Sequence, residues 1–287
     1  MKKLYGVYKL SRIETIVSFV LFLTVLGAFI SGQSINPLKL FLIFLANLLS
    51  VTFAFMINDA EDADDDAMDL KKKKRNPVSA GLLSKKDAYI ASFSTAAAAL
   101  LLYLFAGFSA LGAGISLIIC GFLYSWKEIR FKNIAWADFI SHGFFLSAGI
   151  LLASYLAFRH FSVEILPAFI GTWMFSMSGD LYNEIRDFAV DRKSKLKNTA
   201  HFLGMKKTVI MKNVLAVVSA VSIVILLALE FKRIYLPSLL IILVVLIAVL
   251  AYNRLKSKTP LLQFDNMLLY DPLLLSFSLV LMISIFV

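Results

Sequence analysis

Long apolar runs recur through this chain and leave little room for any fold but a bundle of membrane-spanning helices. Nine stretches stand out: 14–31, 38–57, 88–106, 109–125, 136–157, 163–182, 209–229, 234–252 and 267–287. Each is predominantly apolar and close to the length a helix needs to cross the hydrocarbon layer. The 287 residues average a hydropathy of +0.81 and only 17% are charged, against about a quarter in soluble domains. The first run lacks an obvious small-residue cleavage site and reads as a retained span. The chain is therefore expected to be all-α, an integral membrane bundle of about nine transmembrane helices forming a single polytopic domain over 1–287.

The basic residues orient this bundle. Of the 29 Lys and Arg residues, all but Lys39, Arg159, Lys232 and Arg233 fall in or beside the segments on one side of the nine-span pattern. Loops rich in Lys and Arg stay in the cytoplasm, so this side is expected to be cytoplasmic. The net charge of +10 is mainly this topological signal, with a secondary attraction for anionic lipids or a phosphorylated substrate. Nucleic acid is not an expected partner, because the charge is spread over separate loops. One cysteine, Cys120, sits inside the fourth run and excludes a disulfide framework.

Acid is scarce here, yet eleven of the 19 carboxylates lie in two short segments, each ending an apolar run on the cytoplasmic side. The first runs from Asn58 through Asp59, Glu61, Asp62, Asp64, Asp65 and Asp66 to Asp69. The second runs from Asp180 through Asn183, Glu184 and Asp187 to Asp191. As spacing they read N-D-x-x-D-x-x-x-D and N-E-x-x-D-x-x-x-D. The repetition suggests two related four-helix units.

If each segment continues its helix, about 100° per residue puts Asn58, Asp62, Asp66 and Asp69 on one face. The same arithmetic groups Asp180, Asn183, Asp187 and Asp191. Glu61 and Asp64 then point elsewhere, into solvent. Close carboxylates repel unless a cation intervenes, and oxygen donors without His or Cys favour Mg2+. The expected metal ligands are Asn58, Asp62 and Asp66 in one segment and Asn183, Asp187 and Asp191 in the other. An EF-hand started at Asp62 fails, with Ala67 at the glycine position and Lys73 at the final glutamate. Cations follow each segment: Arg75, then Arg130 and Lys132, then Lys193, Lys195 and Lys197.

These residues resemble the UbiA superfamily of intramembrane prenyltransferases. Its first motif is matched by Asn58, Asp59, Asp62 and Asp66. A following R-P-x-x-S-G-like stretch is similar to Arg75–Gly81, the segment after the fourth helix to Tyr124–Lys132, and the second motif to Glu184, Asp187 and Asp191. Lys197-Asn198-Thr199 and Leu203-Gly204 resemble the stretch beyond it. Asn76 interrupts the usual Arg-Pro step, and Lys127-Glu128 replaces a proline-rich pair of quinone-type members. Asp65-Asp66-Ala67-Met68-Asp69 also fits a DDxxD pattern, which leaves Asp65, Asp66 and Asp69 as alternative ligands.

The resemblance implies a central cavity and a magnesium-dependent transfer of a prenyl group from a prenyl diphosphate to a lipophilic acceptor. It implies that Arg75, Arg130, Lys132 and Lys197 bind the diphosphate. Tyr124, Arg130 and Lys132 would act at the reacting end. The expected acceptor is a prenylated glyceryl phosphate, with an aromatic quinone, haem or chlorophyll-type ring as the alternative. A cation-coupled transporter is the rival class, and the acids' position at helix ends on one face argues against it. Trp173, Met174, Phe175 and Met177 either line the pocket or pack. Asp138 and His142 share a helix face and read as a structural pair or as an acceptor-orienting base. His201 reads as solvated, and Asp265 and Asp271 as helix caps or hydrated loop acids.

Overall fold

The computed structural model describes residues 2–193, 197–256 and 267–287, without the side chains of residues 2, 189–193, 250–256 and 267–269. The predicted ligand Asp191 and the cations Lys193 and Lys195 therefore lie outside the described side chains, as does Asp265. Among the described residues every regular element is helical. In order these are α1 (Lys2–Ser11), α2 (Ile13–Ser31), α3 (Pro37–Glu61), α4 (Ala63–Asp66), α5 (Leu70–Arg75), α6 (Lys85–Ala106) and α7 (Phe108–Ser125). There follow α8 (Ala137–Gly143), α9 (Gly149–Phe158), α10 (Leu166–Lys193), α11 (Thr199–Leu203), α12 (Met205–Glu230), α13 (Leu239–Lys256) and α14 (Met267–Phe286). All nine predicted runs are helical, with α8 and α9 joined into one span by a π-helical turn at Phe144–Ala148. Among the described residues six spans are long and apolar enough to cross a membrane by length and composition alone, and two shorter apolar helices lie toward the C-terminal end.

Local chemistry sets the helix ends. Asn36 accepts a hydrogen bond from the Lys39 N–H at 3.1 Å and Pro37 follows at the first helical position, a favoured start for a helix. Ser84 caps α6 through the Asp87 N–H at 3.0 Å. Gly107 alone joins α6 to α7 at φ 131°, a conformation a side chain would oppose.

Tertiary packing places the two acidic segments in similar settings, since α3 lies along α6 and α10 along α12. The central helices meet around a buried polar node. Asn47 donates to Thr24 Oγ1 at 2.9 Å and Ser154 Oγ at 2.8 Å, and accepts from the Tyr103 hydroxyl at 2.7 Å. That node ties α2, α3, α6 and α9 together by the interhelical hydrogen bonding that membrane bundles use. Gly27 lets α2 approach α9, for a Cβ there would meet the Leu151 carbonyl oxygen at 2.5 Å. Gly27→Ala is expected to cost about 1–3 kcal/mol by forcing the two backbones apart. A thermal unfolding midpoint in detergent unchanged from wild type would contradict this contact.

Candidate active site

The first acidic segment does not continue its helix as the sequence suggested. Helix α3 stops at Glu61, Asp62 is the junction residue, and α4 makes a single turn. Acids crowd this C-terminal end, where the helix dipole disfavours them. Asp69 instead starts a new helix, accepting from the Lys71 and Lys72 N–H groups at 2.8 and 2.9 Å. It therefore leaves the face it was expected to share with Asn58 and Asp62.

Glu61 is a second correction. It is buried, and accepts from the Tyr89 hydroxyl at 2.6 Å and the Lys127 N–H at 3.3 Å. Asp64 is solvated as expected, between Lys85 and Lys127, whose hydrogen bonds and charges hold its carboxyl below the usual range, Lys85 foremost. Asp59 is fully buried and receives both Nε and NH2 of Arg12, which stands between α1 and α2 in the left-handed region.

Asn58 and Asp62 face the loop after α7. Lys132 Nζ lies 2.9 Å from Asn58 Oδ1 and 2.5 Å from Asp62 Oδ2. Arg130 reaches Asp62 at 3.1 Å and the exposed Asp65 at 3.0 Å. Burial pushes the Lys132 ammonium below its usual range, opposed by the Asp62 charge. Arg130 itself has φ 50°, a conformation unfavourable for a non-glycine residue that the surrounding bonds must hold. Asp66 is buried against the Asn76 side-chain amide at 2.9 Å. Arg75 is exposed at the end of α5.

The second segment does continue its helix. Along α10, Asp180, Asn183, Glu184 and Asp187 fall at one-turn spacing and line a cavity of about 150 Å³ with Tyr124, Lys132, Asp138 and Asn198. Tyr124 packs against the rings of Phe145 and His142, with centroids 5.2 and 5.9 Å away. Asp187 also pairs with the adjacent Arg186 at 3.0 Å. The aromatic and Met residues before the segment divide: Trp173 donates to the Ile140 carbonyl and Met177 is buried beside Phe139 and Leu181, whereas Phe175 is exposed. The first two serve packing.

A strap over residues 197–203 is sewn to the cavity wall. Asp138 accepts from both the N–H and, at 2.6 Å, the hydroxyl of Thr199. Glu184 accepts the Ala200 N–H at 2.8 Å. Lys197 is exposed, with its backbone N–H 2.7 Å from Asn133 Oδ1. Asp138 and His142 thus separate, as His142 turns to Asp180 at 3.5 Å. His201 is half-buried rather than solvated, stacked on Phe188 at 4.3 Å and bonded to Asn198. Asp271 accepts from the Ser18 hydroxyl and so ties α14 to α2.

An all-helical membrane bundle with a polar, acid-rich cavity at the ends of two of its spans is the class these elements define. The UbiA prenyltransferase family model matches residues 20–270, and the chain belongs to that family. Among known proteins it is 30% identical over 183 residues to a lycopene elongase/hydratase of Haloarcula japonica, covering 62% of this chain and 58% of the relative. A lycopene elongase/hydratase of Haloferax volcanii is 27% identical over 183 residues, covering 61% and 55%. These matches span less than two thirds of the relatives' lengths. In fold, a UbiA homologue of Archaeoglobus fulgidus bound to GPP and Mg2+ superposes with a TM-score of 0.72 at 20% identity, covering 98% of this chain and 100% of that one. A digeranylgeranylglyceryl phosphate synthase structure gives 0.68 at 20% identity, covering 98% and 99%.

Proposed function

We propose that this protein transfers a prenyl group from a prenyl diphosphate to a neutral, long-chain isoprenoid acceptor, with its site facing the cytoplasm. The observation that carries this reading is the position of Lys132. It touches Asn58 and Asp62 of the first acidic segment and lines the cavity beside Asn183 and Asp187 of the second. One cation thus bridges the two segments, where a diphosphate between them would need positive charge.

The donor set suits Mg2+. Among the described residues no three His, Cys, Asp or Glu side chains form a ready-made metal cage, and Mg2+ commonly takes only one or two carboxylates together with substrate phosphates. Asn58, Asp62 and Asp66 would hold it on one side, and Asn183 and Asp187, with Asp191, on the other. The bound ion would offset the negative charge gathered on the departing diphosphate. Arg130 and Lys132 add fixed positive charge at the same end, and Arg75 and Lys197 extend it at the exposed edge. Tyr124, backed by Phe145, presents an aromatic face to the allylic cation. The apolar helices exclude water that would otherwise capture that cation.

The neutral acceptor is supported by the lycopene elongase/hydratase relatives, matched over 183 residues. Membranes carrying the protein, given labelled dimethylallyl or geranylgeranyl diphosphate and a panel of acceptors, are expected to yield a prenylated polyene by mass. Transfer to a glyceryl phosphate or a hydroxybenzoate, with the polyene untouched, would overturn the neutral acceptor.

A further inference from the structure

We infer that Asn76, the residue that interrupts the family's Arg-Pro step, is a positioning residue that fixes Asp66 as a metal ligand. This rests on the magnesium–diphosphate reading above. Asn76 has no exposed surface, and every hydrogen-bonding site on its side chain is used. Its Nδ2 donates to the Asp59 carbonyl at 2.7 Å and to Asp66 Oδ2 at 2.9 Å. Its Oδ1 accepts from the Val78 N–H at 3.0 Å and the Ser79 N–H at 3.4 Å. Two oxygens face one end of the amide and two N–H groups face the other, so only one orientation satisfies all four contacts.

The backbone is equally defined. Pro77 restricts the residue before it to extended conformations, and Asn76 has φ −81° and ψ 114°. Its N–H closes α5 on the Lys72 carbonyl at 2.9 Å, and its own carbonyl receives the Ala80 N–H at 3.0 Å. An amide held this firmly cannot follow Asp66. Asp66 must stay with Asn76, its Oδ2 engaged, while among the described residues no donor occupies Oδ1. Asn76 also resolves the choice between Asp65, Asp66 and Asp69. Asp65 is exposed on Arg130 and Asp69 caps α5, which leaves Asp66 as the buried, oriented carboxylate.

An outer-shell partner of a metal ligand typically contributes 10–100-fold to metal affinity. Asn76→Asp is the sharpest variant, since it keeps the shape and sets a carboxylate against the Asp59 carbonyl and Asp66. Asn76→Ala removes the donor without adding charge, and Asn76→Ser replaces the amide's two donors by one shorter hydroxyl. The readout is Mn2+ affinity by electron paramagnetic resonance, on detergent-solubilised protein with inorganic diphosphate, alongside the unfolding midpoint. The control is Ser79→Ala, which breaks the 2.6 Å bond to the Ala63 carbonyl in the same turn without touching Asp66.

The expected result is Mn2+ affinity reduced about 10–100-fold in folded Asn76 variants, most in Asn76→Asp, with Ser79→Ala binding as wild type. Folded Asn76 variants that bind Mn2+ like wild type would overturn the inference. So would loss of the fold in all three variants while Ser79→Ala folds, which would make Asn76 a structural residue alone. No Mn2+ binding by wild type would overturn the magnesium reading itself, and this inference with it.

Discussion

Asp62→Asn is expected to reduce prenyl transfer by about a hundredfold or more at saturating Mg2+. The change keeps the size of the side chain and removes the charge that meets Lys132 and Arg130. A metal ligand of this kind contributes several kcal/mol to stabilising a leaving group, and about 1.4 kcal/mol is a factor of ten in rate. The neutral variant also deprives Lys132 of its carboxylate partner and Arg130 of one of its two, so folding must be measured beside rate. Asp64→Asn is the matched control in the same segment. Asp64 is solvated and its pairs with Lys85 and Lys127 are exposed, a kind of contact that contributes little. Steady-state turnover of the two purified variants decides the point. Equal rates would contradict the role given to Asp62.

The second large effect is expected at Asp138, which the motifs do not reach. Its carboxylate is almost completely buried and serves two donors of Thr199. In Asp138→Ala both donors lose their acceptor. Each buried unpaired group costs about 1–3 kcal/mol, so the unfolding midpoint should fall by several degrees. The strap over 197–203 carries Lys197 and the cavity residue Asn198, so KM for the prenyl diphosphate should rise as well. Asp138→Asn keeps one acceptor oxygen and should fall between the two. A midpoint loss in Asp138→Ala with an unchanged donor KM would reduce the strap to a structural role.

What the sequence revealed here depended on how local the signal was. The spans were legible because hydropathy over about twenty residues is itself the physical cause of membrane insertion. The register of Asp180, Asn183 and Asp187 was legible because α10 runs unbroken through them. The first segment was misread beyond Asp62, since an N-cap at Asp69 competed successfully with helix continuation. Its sequence signal, an Asp just before a run of Lys, was visible but outweighed by the repeat.

Contacts between distant residues were not legible. Glu61 is buried by a tyrosine from α6, and Asp59 by an arginine 47 positions earlier. Asp138 finds Thr199 across 61 positions. No spacing rule links such pairs, because bundle packing alone brings them together. Asn76 was visible only as a departure from a pattern, and the four bonds of its side chain reach segments that no spacing rule connects to it.

Both acidic segments are proposed to hold one metal–diphosphate unit between them, with Lys132 at their junction. Diffraction from crystals grown with Mn2+ and a non-hydrolysable prenyl thiolodiphosphate, with data collected at the manganese edge, tests it most directly. Anomalous peaks are expected beside Asn58, Asp62 and Asp66 and beside Asn183 and Asp187, with the diphosphate between them and near Lys132. Manganese and diphosphate bound elsewhere, or manganese on one segment with the diphosphate remote from the other, would contradict it.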